Sequence, residues 1–551
     1  MQQLPSDEPA ASVVHAALPE GIALPPIEVL ERMSPEELED ALGLRPKFDI
    51  PVAARRSMQR IGVLDESEGG LPGGALAGQD ASLVRAALAG NRGAMVSRWG
   101  HILLRRALAS RLDAPTRMDP ADFVALRAAL LVRMGEGEGA RALVQDIDTG
   151  NYNPALTQAA IDAYVATADF TGICPAVAIQ GGLRKDAQWD VLRAICTAFE
   201  GEGGQGLMQL DRAMSRGTMP KIDLLLAQKY AGAAGKARRA VTVEWDDVTD
   251  MTPWRYALAI AVGLTPPDTL MANAGPRYDY MAATAPMLGL ERRAAAADRA
   301  AGAGILSGAA LVDLYGQIYA NDDITGDWQD RASTLRDAYV AAEPSARLAA
   351  MRKLWDGGGD AARRYSRQVL TAYAAARIPV DAALKDQAGD LVASMLTAGL
   401  DRNALRWASQ VENGSLAWAQ LVLVAPINSQ AVGSGEISTF QDGDGSENSR
   451  KTAFLVASLA GLGRISPQTA SGFDEDLEMK LDAPTRWTRL IDQAAAVKNP
   501  ALVALLAGVG MQGDNWAKMT PRYLYHIVSA LRQVGLEAEA RMIAAEAVAR
   551  G

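Results

Sequence analysis

Cysteine, histidine and aromatic residues are scarce in this sequence. Its 551 residues include two cysteines and three histidines, and aromatic residues make up 5%. The histidines, His15, His101 and His526, are too dispersed to form a local metal-binding motif. No run of about eighteen uncharged apolar residues occurs, so no transmembrane helix is predicted. Alanine is abundant while β-branched runs are few, which favours closely packed helices.

Lysine is scarce as well, since only 11 of the 55 basic residues are lysines and the many arginines are scattered along the chain. The net charge is −10 and the sequence pI is about 5.1. Nucleic acids and anionic membrane surfaces attract clustered Lys and Arg. Neither is therefore expected as the main partner, and the scattered arginines are predicted to lie on a solvated surface.

The two cysteines, Cys174 and Cys196, bear on the cellular compartment. Each lies in a helical pattern, and if these helices pair antiparallel the cysteines face each other at similar height. A disulfide is then feasible and implies an oxidising compartment, whereas two buried free thiols are the alternative. The first residues lack the features of a signal peptide but suit a terminus left by processing. We predict a bacterial protein of the periplasm or cell envelope, with a cytoplasmic location as the alternative.

The chain divides by composition into four segments. Residues 1–80 are rich in proline, glycine and acidic residues and are predicted to form an extended arm, with a capped helix near Ser34. Residues 81–427 and 451–551 have apolar residues three and four positions apart, which indicates helices. Residues 428–450 are polar and rich in glycine and serine, which predicts a mobile loop insertion.

Two segments of the chain resemble each other. LRAALLVRMGEGEGARALVQDIDTG begins at Leu126, and LRAICTAFEGEGGQGLMQLDRAMSRG begins at Leu192. Each has an apolar helix, a Gly-Glu-Gly turn and a second amphipathic helix, and weaker copies surround Gly399 and Gly535. A glycine beyond a helix closes the last turn in a left-handed conformation, and a small residue soon afterwards lets the returning helix pack closely. The pattern predicts helical hairpins.

This glycine turn, followed by an alanine on the second helix, resembles the tetratricopeptide repeat. The resemblance implies hairpins stacked in a superhelix whose concave face binds peptides or proteins. The predicted fold is therefore all-α: an α-solenoid, that is, a superhelical stack of antiparallel helical hairpins.

The turn GEGGQG, from Gly201 to Gly206, also matches the G-x-G-x-x-G pattern of dinucleotide sites. Such sites need a strand before the glycines, whereas the preceding residues here have helical spacing. The adjoining GLMQ resembles part of the signature of lytic transglycosylases, which implies a catalytic glutamate. Glu200 and Glu202 are the nearest candidates, but both lie in the turn itself. We therefore interpret GEGGQG as the turn of a hairpin.

Two acidic segments have features of metal sites. NDDITGD resembles the magnesium motif of helical prenyl-diphosphate enzymes, in which Asp322, Asp323 and Asp327 would bind metal and diphosphate. DGDGSEN, from Asp442, spaces oxygen ligands as calcium loops do but lacks two positions of an EF-hand. Helix capping and solvated turns explain both segments, so no metal or cofactor is predicted.

The predicted function is a non-catalytic scaffold or adaptor that binds a protein or peptide. Four tryptophans in helical patterns are either anchors for that partner or core residues: Trp99, Trp407, Trp418 and Trp516. An all-helical enzyme, acting on cell-wall glycan or on a diphosphate, is the alternative. A third hypothesis is a subunit whose arm, residues 1–80, threads onto a neighbour in a larger assembly.

Overall fold

A computed structural model describes residues 54–179, 184–234, 240–426 and 428–551. Almost all regular structure within these residues is α-helix, as the sequence predicts. Two short strands, β1 (Arg60–Ile61) and β2 (Leu112–Asp113), form an antiparallel ribbon. The predicted helix near Ser34 lies outside the described residues.

The helices are numbered in chain order. The first fourteen are α1 (Ala81–Gly90), α2 (Arg98–Ala109), α3 (Pro120–Met134), α4 (Gly137–Gln145), α5 (Pro154–Ala166), α6 (Cys174–Ile179), α7 (Ala187–Phe199), α8 (Gly203–Arg216), α9 (Lys221–Ala231), α10 (Pro253–Ala261), α11 (Asp268–Met271), α12 (Arg277–Thr284), α13 (Leu290–Ala303) and α14 (Gly308–Tyr319). The others are α15 (Asp327–Val340), α16 (Pro344–Asp356), α17 (Ala361–Ala375), α18 (Ala388–Thr397), α19 (Asp401–Leu405), α20 (Leu416–Val424), α21 (Ser434–Asp442), α22 (Arg450–Leu462), α23 (Pro467–Asp476), α24 (Arg486–Ala496), α25 (Pro500–Gly510), α26 (Pro521–Gln533) and α27 (Glu537–Arg550). None of these described helices is both long and apolar enough to cross a membrane.

A capping side chain followed by proline explains where several helices begin. Before α5, for example, the Asn153 side chain accepts a hydrogen bond from the backbone N of Leu156 at 2.8 Å. Proline at the next position costs nothing, because the first helical N–H has no partner within the helix. The pairs are Asp119-Pro120, Asn153-Pro154, Thr252-Pro253, Ser466-Pro467, Asn499-Pro500 and Thr520-Pro521.

The GEGGQG segment forms the turn of a helical hairpin, as predicted. Helix α7 ends at Phe199, Gly201 has a φ of 109°, and α8 begins at Gly203. A positive φ reverses the chain without strain only because glycine has no Cβ. On α8, a Cβ at Gly206 would lie 2.4 Å from the carbonyl oxygen of Ala194, so the small residue permits close packing of the pair.

The other predicted turns have the same form. Gly135 separates α3 from α4 with a φ of 88°, Gly399 separates α18 from α19 with 71°, and Gly535 separates α26 from α27 with 82°. Helix α19 is only five residues long, so the hairpin at Gly399 has one short arm. The sequence pattern therefore located all four chain reversals.

Helices near the two ends of the compact unit, residues 57–551, pack against each other. Helix α2 contacts both α25 and α27. In the same region the backbone N of Val96 donates to Met511 O at 3.0 Å, and Gly513 N donates to Ala94 O at 3.1 Å. In an extended solenoid each repeat contacts only its neighbours. This contact between the ends is a feature that the sequence prediction does not contain.

The compact unit begins at Ser57, within the arm predicted for residues 1–80. Leu71 and Leu76 are buried, and the Asn499 side chain donates to the carbonyl oxygen of Ala75 at 2.6 Å. Residues 57–80 therefore pack onto the helices instead of extending from them. The predicted arm up to residue 53 lies outside the described residues.

One buried carboxylate, Glu546 on α27, joins the last helix to the first turn of α2. It is 5% exposed, and a helix N-terminus favours such a carboxylate because its first N–H groups have no partners within the helix. Burial and the Glu546 carboxylate raise the pKa of Tyr365. The donors to Glu546 are Ser97 Oγ at 2.6 Å, Arg98 N at 2.9 Å, Trp99 N at 3.1 Å, Tyr365 Oη at 3.3 Å and Arg550 Nη1 at 2.6 Å.

Many arginines are not on the solvated surface that the sequence predicts, because they bind the carbonyl groups at helix ends. Buried Arg127 donates to the carbonyl oxygen of Leu108 at the end of α2 and to Ile61 O on β1. Desolvation lowers the pKa of Arg127 to about 9. The planar guanidinium supplies several donors in a fixed array, which a lysine cannot do. Other arginines bound to helix-end carbonyls are Arg98, Arg133, Arg367 and Arg464.

The segment 428–450, predicted to be a mobile loop, contains helix α21. Ile437 and Phe440 are buried, and the Phe440 ring lies 6.4 Å from that of Trp418 on α20. Their spacing of three residues is helical, but the surrounding glycines and serines mask it. The helix is therefore a difference from the prediction, and it arises from tertiary packing of two apolar side chains.

Candidate interaction surface

The acidic residues weighed for catalysis or metal binding lie in separate, exposed turns. Glu200 and Glu202 are the residues at the end of α7 and the start of α8. Asp322 and Asp323 lie before α15, and Asp327 is its first residue, where a carboxylate interacts favourably with the helix N-terminus. In the part of the chain that the structure describes, no group of three or more His, Cys, Asp or Glu residues is arranged to hold a metal ion.

Three of the four tryptophans considered as partner anchors are buried. Trp407 is 1% exposed, Trp418 packs on Phe440, and the Trp516 ring lies 6.0 Å from that of Phe454. Trp99 is half-buried, and its indole ring packs against Gly399, where an added Cβ would lie 3.0 Å away. The structure thus places these tryptophans in the packing between helices and does not bring them together on one exposed surface.

Cys174 and Cys196 lie at disulfide distance, with their Cα atoms 5.4 Å apart. The pair joins α6 to α7, and both side chains are buried. The two helices therefore approach as closely as the predicted pairing requires.

A surface cleft of about 520 Å³ lies between the starts of α20 and α22 and includes part of DGDGSEN. Here Asp444 accepts hydrogen bonds from Ser446 and from the backbone and side chain of Thr452. Although burial opposes it, these hydrogen bonds lower the pKa of Asp444. Arg450 is paired with Glu447 at 2.7 Å. The carboxylate of Asp444 thus accepts hydrogen bonds from Thr452 in the first turn of α22.

A different surface combines exposed tyrosines with arginines on three neighbouring helices. We call it the tyrosine–arginine face. It consists of Tyr319 at the end of α14, Arg336, Tyr339 and Val340 on α15, and Tyr373 and Arg377 on and just after α17. Helices α14, α15 and α17 pack against one another, so the three groups belong to one region of the surface.

The geometry of α15 places three of these residues side by side. Positions three and four apart lie on the same side of a helix, so Arg336 has Tyr339 and Val340 as neighbours. Val340 is 57% exposed, and Tyr319 and Tyr373 are 41% and 43% exposed. Such exposure of large apolar groups is uncommon in this chain, where most tyrosine side chains are at least half-buried.

Both arginines of the face lie over tyrosine rings. The guanidinium carbon of Arg336 is 5.4 Å from the ring centroid of Tyr319, and that of Arg377 is 5.9 Å from the centroid of Tyr339. Cation–π contact of this kind orients the guanidinium. Burial raises the pKa of Tyr339 to about 12, which the nearby Arg377 opposes. Tyr339 therefore stays neutral at physiological pH.

No carboxylate among the described residues neutralises either arginine of the face. Across the ranges that the structure describes, Arg336 and Arg377 form no ion pair with a carboxylate, although both are exposed. Some exposed arginines elsewhere are paired, such as Arg299 with Asp279, whereas Arg402 and Arg406 are exposed and have no carboxylate partner within the described ranges. The face thus presents two oriented positive charges beside apolar and aromatic surface, a combination common in protein–protein hot spots.

Sequence reasoning did not identify this face. The only local signal is the spacing of Arg336, Tyr339 and Val340 on one helix, and such spacing also occurs in core-facing helices. Contributions from Tyr319 and Tyr373 depend on how α14 and α17 pack against α15, which no local pattern reveals.

No family model matches the chain, and no curated protein and no solved structure is significantly similar to it.

Proposed function

We propose that this chain is a non-catalytic scaffold that binds a protein or peptide through the tyrosine–arginine face. The observation that carries the proposal is the joint exposure of Tyr319, Tyr373, Arg336 and Arg377, with no carboxylate among the described residues paired with either arginine. Tyrosine supplies a large contact area at small cost in side-chain entropy, and both tyrosine and arginine are enriched in interface hot spots.

The helical hairpins supply a rigid support for this face. We interpret them as a tetratricopeptide-like array, on the basis of the glycine turns between α3 and α4, α7 and α8, and α26 and α27. The support for that interpretation is local, because the contact between α2 and α27 is not a feature of an extended array. A face built on packed helices holds its side chains in place before a partner binds, which lowers the entropic cost of association.

The proposed setting is the bacterial periplasm or cell envelope. It is supported by Cys174 and Cys196, whose distance suits a disulfide, and disulfides persist in oxidising compartments. Intact-mass measurement and thiol alkylation of protein purified from its native host test this setting. Two alkylatable thiols in the unfolded, unreduced protein would contradict it.

Site-specific photo-crosslinking in the native host tests the binding function. A photoreactive phenylalanine analogue replaces Tyr373 on the face, and the same analogue replaces Phe199 as a matched control. The two sites are 43% and 41% exposed, and both side chains are aromatic. We expect a discrete crosslinked protein species at position 373 that is absent at 199. Equal crosslinking at both positions, or none at 373, would count against the face as a binding site.

A further inference from the structure

We infer that the partner presents an acidic segment to the tyrosine–arginine face, with carboxylates for Arg336 and Arg377 and an apolar side chain against Val340 and the tyrosine rings. This inference rests on the proposed function and adds the chemistry of the partner. The partner segment is a stretch of protein that carries Asp or Glu next to apolar residues.

The two guanidinium groups have N–H donors available for a partner. A guanidinium has five N–H donors, and contact with a tyrosine ring uses its flat surface while the donors at its edge stay available. Carboxylates match this edge with two parallel hydrogen bonds. Arg336 and Arg377 are already oriented by Tyr319 and Tyr339, so a carboxylate meets donors whose positions are restricted.

The charge of the face differs from that of the whole chain. The chain has a net charge of −10; ten acidic and five basic residues lie among the first 56, so the compact unit, residues 57–551, carries −5. Although the unit is weakly acidic, Arg336 and Arg377 add positive charge to the face without an ion-pair partner in the part of the chain that the structure describes. At physiological ionic strength, charges separated by more than about 8 Å are largely screened. The local charge, not the net charge, then decides what the face attracts.

Apolar and charged groups alternate closely on the face. On α15, Arg336 and Val340 are four residues apart, and Tyr373 and Arg377 are four residues apart along α17 and its end. Each guanidinium thus has an exposed apolar neighbour one helical turn away. A matching segment needs acidic and apolar side chains close together, whereas a purely acidic run leaves Val340 and Tyr373 uncovered.

Selection from a displayed library of random short peptides tests this inference. The full chain is immobilised as wild type, as the double variant Arg336→Gln/Arg377→Gln, and as the control Arg402→Gln/Arg406→Gln. The control arginines are also exposed and lie on α19 and just after it, so the change in net charge is identical. Circular dichroism confirms that all three are folded.

We expect wild type and the control to enrich peptides with Asp or Glu beside apolar residues, and the Arg336/Arg377 variant to lose them. For a selected peptide, affinity should fall about tenfold or more for each guanidinium removed, because each makes a charge-assisted hydrogen bond. Affinity should also fall as salt rises. Selected peptides without excess Asp or Glu, or equal selection by the Arg336/Arg377 variant, would overturn the inference.

Two further measurements separate this inference from the proposed function. In the first, binding of the selected peptides is compared in Tyr319→Ser/Tyr373→Ser and in Arg336→Gln/Arg377→Gln. If only the tyrosine variant loses binding, the face remains the binding site but the acidic partner is rejected. The second measurement is co-sedimentation of the chain with phosphatidylglycerol vesicles. Vesicle binding that depends on the two arginines, without enrichment of acidic peptides, would assign the face to a membrane surface and reject the inference.

Discussion

The substitution Glu546→Gln should strongly destabilise the folded chain. The carboxylate is 5% exposed and accepts from five donors, two of which are backbone N–H groups in the first turn of α2. An amide of the same shape has one oxygen to accept hydrogen bonds, and its NH₂ group must face donors. It also leaves Arg550, whose side chain is 27% exposed, without its negative partner.

The magnitude follows from these losses. Removal of one member of a buried charged pair costs about 3–5 kcal/mol, and each buried donor left unsatisfied costs about 1–3 kcal/mol. Relaxation and water entry offset part of the sum, so we expect a loss of about 3–5 kcal/mol in the free energy of unfolding. The matched control is Glu537→Gln on the same helix, whose carboxylate is 33% exposed and lies 3.5 Å from Arg541. Its loss should stay below about 1 kcal/mol.

Urea unfolding followed by far-ultraviolet circular dichroism measures both variants. Since a unit of this size need not unfold in one step, hydrogen exchange of the first turn of α2 provides a second readout. Exchange there should accelerate in Glu546→Gln and stay unchanged in Glu537→Gln. A loss below about 1 kcal/mol for Glu546→Gln, with unchanged exchange in α2, would refute the role assigned to this carboxylate in joining the two ends.

Three other predictions concern stability. Replacement of both Cys174 and Cys196 by serine should lower the free energy of unfolding by about 2–4 kcal/mol, because the bond closes a loop with a sequence separation of 22; reduction of the wild type should give the same loss in urea unfolding. Gly201→Ala should cost about 1–2 kcal/mol because its φ is 109°, whereas Gly204→Ala, in open space within α8, should be neutral or slightly stabilising in the same assay. Burial raises the pKa of Tyr315 to about 12, so the unfolded chain loses this proton at a lower pH than the folded chain does, and stability should fall as pH rises from about 10 to 12. In Tyr315→Phe, urea unfolding at stepped pH should show a shallower fall, and an equal fall would contradict the assignment.

Local signals were sufficient to predict the helical character of the chain and four of its turns, but not helix α21. The glycines at 135, 201, 399 and 535 have positive φ as expected, because a chain reversal after a helix needs a residue without Cβ. The cysteine pair was also predictable, since two cysteines at equal heights on paired helices meet across the hairpin. Each of these features depends on residues within about thirty positions of one another.

Contacts between distant parts of the chain were not predictable. Ser97 and Glu546 are separated by 449 residues, and a single sequence contains no signal that joins them. The buried arginines were not predictable either, because arginines that bind helix-end carbonyls cannot be told from surface arginines in the sequence. Arg127 is distinguished only by the carbonyls that the fold brings to it. The tyrosine–arginine face was missed for the same reason, since three helices contribute to it.

Hydrogen exchange of the full chain, with and without the protein captured by crosslinking at Tyr373, tests the proposed binding face most directly. When the partner is bound, we expect hydrogen exchange to slow at the carboxyl-terminal ends of α14, α15 and α17. Exchange in the α7–α8 hairpin around Gly201 should stay unchanged. Protection confined to other helices, with α15 unaffected, would contradict the claim that the tyrosine–arginine face binds the partner.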